Sequence, residues 1–270
     1  GLIFLAYERS ERLFVLARPG RDEYRLKVSM FWENLDVALL VDRVVASFYQ
    51  TNCWIIAPSQ GEQCLIIDPG IDLPNMVARV KNKLEEHRLE IGAILITHGH
   101  LDHTFSLFPV AHEFGCKQTL VHEKDRDLLE FPERALSAQS LGMFQEMREK
   151  FPETRIAEPE GTFSVSDNDQ LTFGGMKVII KHTPGHTPGS IIATIDDSLV
   201  ITGDTLFAGS IGRTDLPRGS ISDMERSLRE KISILPGHLR VLPGHGDESR
   251  IDRELKENPY LHQAMAGRLA

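Results

Sequence analysis

Apolar residues in this chain come in short runs that end abruptly in polar turns carrying glycine or proline. Cys64-Leu65-Ile66-Ile67 is one such run, stopped by Asp68-Pro69-Gly70, and it predicts a strand that enters a turn. Beyond Asp72, which suits an N-cap, the stretch from Pro74 places Met76, Val77, Val80 and Leu84 at helical spacing with charged residues between them. Ala93-Ile94-Leu95-Ile96, flanked by Gly92 and Thr97, predicts a fully buried strand. Strand, helix and strand in that order imply a crossover connection and a sheet covered by helices.

The alternation continues to the end of the chain. Helices are expected over residues 103–114 and 132–150, and strands over 177–180, 190–195, 198–202 and 239–242. Ser222 or Asp223 would cap a helix that buries Met224, Leu228 and Ile232, and one more helix fits 249–257. Both halves run apolar strands into histidine-bearing loops, without any sequence repeat. The fold class that fits is α/β, a four-layered αβ/βα sandwich whose halves present their loops at one edge. Residues 1–41 precede the regular pattern and read as an N-terminal extension with strand-like runs at 13–16 and 24–28. Residues 42–270 read as the catalytic domain.

Composition acts mainly by exclusion. The 39 acidic side chains outnumber the 30 basic ones, for a formal net charge of −9, which argues against nucleic acid or an anionic membrane as principal partner. No run approaches the roughly 18 apolar residues of a membrane span. The first residues also lack the basic leader of a signal peptide. Cys53, Cys64 and Cys116 are odd in number and lack CxxC spacing, so they are expected to be small buried hydrophobes in a reducing, cytoplasmic setting.

The chemistry lies in the loops. His98, His100, Asp102 and His103 fall within six residues directly after a predicted strand, and Gly99 lets the backbone turn between them. Imidazoles with a carboxylate suit zinc, with iron or manganese as competitors. Three further turns add donors: His186 in Thr183-Pro184-Gly185-His186-Thr187-Pro188-Gly189-Ser190, Asp204 in Gly203-Asp204-Thr205, and His245 in Pro243-Gly244-His245-Gly246. A carboxylate among so many donors can bridge two cations, which a histidine cannot. The expectation is therefore two zinc ions that lower the pKa of a shared water for hydrolysis. Asp68 ends a strand and would suit holding a ligand imidazole through its N–H. His238 also follows Pro-Gly but precedes the last strand, whereas the donors sit at strand exits, so His245 is preferred. His182 is expected inside a strand, and His112 and His122 on the surface or packed on helices.

On these stretches, together with Thr51-Asn52-Cys53 and the run from Gly203 to Asp215, the chain resembles the metallo-β-lactamase-fold hydrolases from about Val44 to His262. Within them it is most similar to glyoxalase II-like proteins, the hydroxyacylglutathione hydrolases. The resemblance implies His98, His100 and His186 on one metal, Asp102, His103 and His245 on the other, and Asp204 bridging both. It further implies hydrolysis of a small-molecule thioester or related acyl compound by a metal-bridging hydroxide, without a protein nucleophile. A β-lactamase or lactonase, a ribonuclease and a mononuclear-iron persulfide dioxygenase are the rival activities within the same family. Glyoxalase II proper carries a helical C-terminal domain that helps bind glutathione, whereas 25 residues follow His245 here, so the likeness is to single-domain members with varied substrates. Arg213 is expected either to meet an anionic substrate group or to pair with a nearby carboxylate.

Overall fold

A computed structural model of the chain describes residues 38–152 and 154–270. Six strands form the first sheet in sequence order: β1 (Leu40–Val45), β2 (Asn52–Ala57), β3 (Gln63–Ile67), β4 (Glu90–Leu95), β5 (Thr119–His122) and β6 (Thr162–Val165). β1 to β3 pair antiparallel, and β3 to β6 are parallel. The second sheet holds β7 (Gln170–Phe173), β8 (Met176–His182), β9 (Ile191–Ile195), β10 (Leu199–Gly203), β11 (Arg240–Pro243) and β12 (Ser249–Arg250), again with sequence neighbours paired. There only β10 and β11 are parallel.

Side-chain alternation assigns each strand face its own layer. β2 turns Trp54 and Ile56 toward the second sheet, where they join Leu65, Ile67 and Leu95 against Met176, Val178, Ile180 and Ile191. The opposite faces carry Ile55, Ile66 and Ile94, which pack beneath Met76, Val80 and Leu84 of the helix Met76–His87 and beneath Val110 of Leu107–Glu113. On the far side, Ile192, Val200 and Val241 are covered by Met224, Leu228 and Ile232, with Ile251 and Leu261 from the two last helices. Helices, sheet, sheet and helices make the four-layered αβ/βα sandwich.

The crossover between β3 and β4 follows the sequence pattern, but its helix starts later than the pattern suggests. Asn75 is the N-cap, and Asp72 is buried instead, with its carboxylate accepting from Ser47 N and pairing with Arg79 at 2.5 Å. β1 opens at Leu40, inside the stretch read as an extension, while the strand-like runs at 13–16 and 24–28 lie outside the described residues. The three cysteines are free and buried, and burial pushes the Cys64 thiol up to about 12. Among the described residues no helix is long and apolar enough to cross a membrane.

The parallel connections bring the C-terminal ends of β3, β4, β5, β10 and β11 to edges where loops converge, the usual place for a site in such sheets. Backbone hydrogen bonds join the two sheets there. Ile191 N donates to the Thr97 carbonyl at 2.9 Å, and Asn52 N donates to the Gly244 carbonyl at 2.7 Å. Trp54 adds its indole N–H, which donates to the Pro243 carbonyl at 2.9 Å.

Leu95, fully buried between the sheets, reports on this packing. Leu95→Ala is expected to lower unfolding free energy by about 2–5 kcal/mol, read from the midpoint of a denaturant titration.

Candidate metal centre

β4 leaves the core at Leu95, and the chain turns at once into the short helix Leu101–Thr104, so that His98, His100 and His103 are all buried and face inward. The β8–β9 loop brings His186, the end of β10 brings Asp204, and the end of β11 brings His245. Two trios result, each with its donor atoms within 4.8 Å of one another: His98, His100 and His186, and Asp102, His103 and His245. Asp204 lies between them. Its Oδ1 is 3.4 Å from His103 Nε2, and its Oδ2 is 3.4 Å from both His186 Nε2 and His245 Nε2. Gly244 permits this approach, because a Cβ there would overlap the Asp204 carboxylate and the His103 ring.

The outer nitrogens of three imidazoles are already committed. His103 Nδ1 donates to Asp68 Oδ2 at 2.9 Å, His186 Nδ1 to the Arg213 carbonyl at 2.7 Å, and His245 Nδ1 to the Tyr49 carbonyl at 3.0 Å. With Nδ1 so engaged, each of these rings turns its Nε2 toward the centre. His103 Nε2 and His245 Nε2 stand only 3.1 Å apart, an arrangement that repels unless a positive charge lies between or upon them. His98 Nε2 and Asp204 Oδ1 are buried with no hydrogen-bond partner in the protein. Orphaned acceptors and opposed lone pairs are what a cation would satisfy, so the donor set fits the metals that the sequence implies.

The electrostatics agree. Burial opposes charge on His245, yet the Asp102 and Asp204 carboxylates, 3.3 and 3.4 Å from its Nε2, outweigh this and raise the imidazole to about 9. His103 is likewise held well above its ordinary value, with burial overcome by Asp204, Asp102 and Asp68. Burial and the adjacent His186 press His100 down to about 3, and His98 is pushed well below its usual range. Asp102 stays ionised, at about 2, because His103 and His245 outweigh its burial. Asp204 is depressed further for the same reason. The Asp102 and Asp204 carboxylates thus draw positive charge onto the centre, raising His103 and His245 while burial keeps His98 and His100 low.

The remaining candidate residues separate clearly. Asp68, at a positive φ of 50°, also accepts from Thr97 N at 2.8 Å and Thr97 Oγ1 at 2.6 Å, which fixes the carboxylate that orients His103. Arg213 turns its exposed guanidinium to Asp215 in a two-pronged pair at 2.8 and 2.7 Å, while its carbonyl orients His186. His238 lies on an exposed turn and donates to the Asp197 carbonyl at 2.8 Å. His122 and His182 stack at 4.0 Å on one another. Sequence reasoning missed the Tyr49 carbonyl, for which residue identity carries no signal. It also missed Asp125, whose surroundings, Glu123-Lys124-Asp125-Arg126-Asp127, look like a solvated helical face.

The fold and this arrangement define a metal-dependent hydrolase class, and comparison with known proteins agrees. A family model described as the metallo-beta-lactamase superfamily matches residues 46–245. The chain belongs to the metallo-beta-lactamase superfamily. It is 37% identical over 226 residues to an uncharacterised protein of Mycobacterium leprae (strain TN), covering 83% of this chain and 99% of the relative. It is 33% identical over 224 residues to the hydroxyacylglutathione hydrolase GloC of Haemophilus influenzae, covering 82% of this chain and 98% of that protein. Among solved structures, TTHA1623 in a di-iron-bound form is similar at a TM-score of 0.64 and 29% identity, over 82% of this chain and all of that one (100%).

His238 and His245, the last two of three histidines that follow Pro-Gly, differ in a way that metal analysis resolves. His245→Ala should lose about one metal equivalent per chain and His238→Ala none, as measured by elemental analysis after dialysis.

Proposed function

We propose that the chain is a dinuclear metal hydrolase that cleaves small-molecule thioesters. The observation that carries this reading is the position of Asp204, with its two carboxylate oxygens directed at histidines of both trios. His98 Nε2, His100 Nδ1 and His186 Nε2 would hold one cation, and Asp102, His103 and His245 the other, with Asp204 common to both. When bound, two divalent cations supply a water of lowered pKa and Lewis acidity toward a carbonyl oxygen. Zinc is the cation proposed from the imidazole-rich set, and the di-iron-bound neighbour makes iron its competitor.

The protein groups narrow the substrate. Asp102 and Asp204 are both held ionised, so neither has a proton to give a leaving group at neutral pH. A thiol, with an ordinary pKa of about 8.5, leaves as thiolate without that help, whereas an amine or alkoxide does not. Thioesters fit such a site better than amides or simple esters. The name of the Haemophilus relative points the same way. Covalent catalysis by cysteine is disfavoured, since all three thiols are buried and raised above their ordinary value. The same free thiols support a cytoplasmic setting, where they stay reduced.

Elemental analysis of the purified protein should give two equivalents of metal. A panel of thioesters, lactones, β-lactams and phosphodiesters should show turnover led by the thioesters. One iron per chain with oxygen uptake would replace this reading by a dioxygenase, and preference for another class in the panel would replace the substrate. Asp204→Ala should cut turnover by more than about 100-fold and lower metal content; unchanged activity would refute its place between the metals.

A further inference from the structure

The first trio has a construction problem that its own side chains do not solve. His98 and His100 come from the loop after β4 in the first sheet, and His186 comes from the loop after β8 in the second. Their donor atoms meet only if the two loop backbones keep a fixed offset.

We propose that Asp125 is the residue that sets this offset, a positioning residue for the His98, His100 and His186 trio; this rests on the dinuclear reading above. Asp125 lies in the short helix Glu123–Arg126 after β5 and is completely buried. Its Oδ2 accepts from Gly99 N at 2.8 Å, the amide between His98 and His100. The same oxygen accepts from Thr187 Oγ1 at 2.5 Å, on the residue after His186, and Oδ1 accepts from Gly189 N at 2.8 Å. One carboxylate thus grips both ligand loops beside the ligands. Gly189 lets its loop come this close, because a Cβ there would sit 2.5 Å from the Asp125 carboxyl carbon.

The chemistry of the residue suits the task. All three partners are donors, and an ionised carboxylate is the side chain that accepts from several donors and donates none. An asparagine in the same place would turn an N–H toward one of those donors. The second trio is held by other means, His103 by Asp68 and His245 by the Tyr49 carbonyl. Loss of the Asp125 grip therefore acts on one metal position. The stacked His122 and His182, with His182 Nε2 donating to the Pro188 carbonyl at 2.8 Å, still join the same segments when the carboxylate is altered.

Zn2+ alone, titrated calorimetrically into the metal-depleted full chain, tests this. The unaltered protein should take up two equivalents. Asp125→Asn should keep one at ordinary affinity and bind the other about 10- to 100-fold more weakly, resembling His186→Ala and not His245→Ala. Thr187→Val should weaken the same equivalent less, and Thr187→Ser should restore it; this pair decides the question if Asp125→Asn does not fold. Two unweakened equivalents in Asp125→Asn, or in Thr187→Val where only that variant folds, would overturn the proposal. So would equal weakening of both equivalents together with a lower melting temperature of the metal-free variant, which marks a merely structural role. Fewer than two equivalents in the unaltered protein would instead sink the dinuclear reading, and this inference with it.

Discussion

Every donor distance at the centre depends on how the two sheets meet at one edge. No single sheet owns a complete trio: the first requires His186 from the second sheet, and the second requires His245 from the exit of β11. The apolar layer between the sheets fixes their separation, because close-packed interiors do not deform continuously. Residues where strands enter or leave that edge then lock it by polar means. Asn52 is central to this, since its backbone N–H reaches the Gly244 carbonyl and its side-chain amide reaches the carbonyls of Pro243 and Gly246. The residue before His245 is thereby tied to β2 on the opposite sheet.

That geometry concentrates charge where it would otherwise be costly. Asp204 and Asp102 are anions in a largely buried setting, and Asp68 stands directly behind His103. An uncompensated buried carboxylate is strongly unfavourable, so the polypeptide surrounds these with imidazoles and leaves the remaining lone pairs facing inward. The fold thus creates a demand for cations before any cation binds. The carbonyls of Arg213 and Tyr49 contribute by fixing tautomers: each takes the Nδ1 proton of its histidine and frees Nε2 for the centre.

Much of this was legible in the sequence, for identifiable reasons. Ala93-Ile94-Leu95-Ile96 could only be a buried strand, and the donors that follow it betray metal chemistry through residue type alone. The helix over Met76 to His87 shows its face because Met76, Val80 and Leu84 pack on a sheet. Short or edge strands were hidden: β6 and β7 have four residues each with exposed positions, and too few alternations to reveal a period. Asp72 looked like a cap because nothing local discloses Arg79 as its partner. Asp125 was invisible for the same reason, since its three donors lie 26 to 64 residues away in sequence. Residue identity reveals ligands, and long-range hydrogen bonds decide what holds them.

Exposure across the centre is uneven, and this gives the site a direction. His98 and His103 are shut off from solvent, whereas the side chains of Asp102 and His245 are 23% and 25% exposed. The centre therefore opens to solvent on the side of the second trio, near the exposed Tyr49 and beside Phe207, whose ring lies edge-on to His245 at 6.0 Å. An open side exposes a ligand to motion, and the β1–β2 hairpin opposes it. Tyr49 and Gln50 both adopt left-handed backbone at φ of 57° and 56°, each at a cost of order 1–3 kcal/mol for a residue with a side chain. The turn so formed carries the Tyr49 carbonyl to His245 Nδ1 and pairs Thr51 with His245 across the sheets. Left-handed backbone thus recurs where ligand imidazoles need an anchor, at Tyr49 behind His245 and at Asp68 behind His103, whereas His186 is held by the Arg213 carbonyl without it.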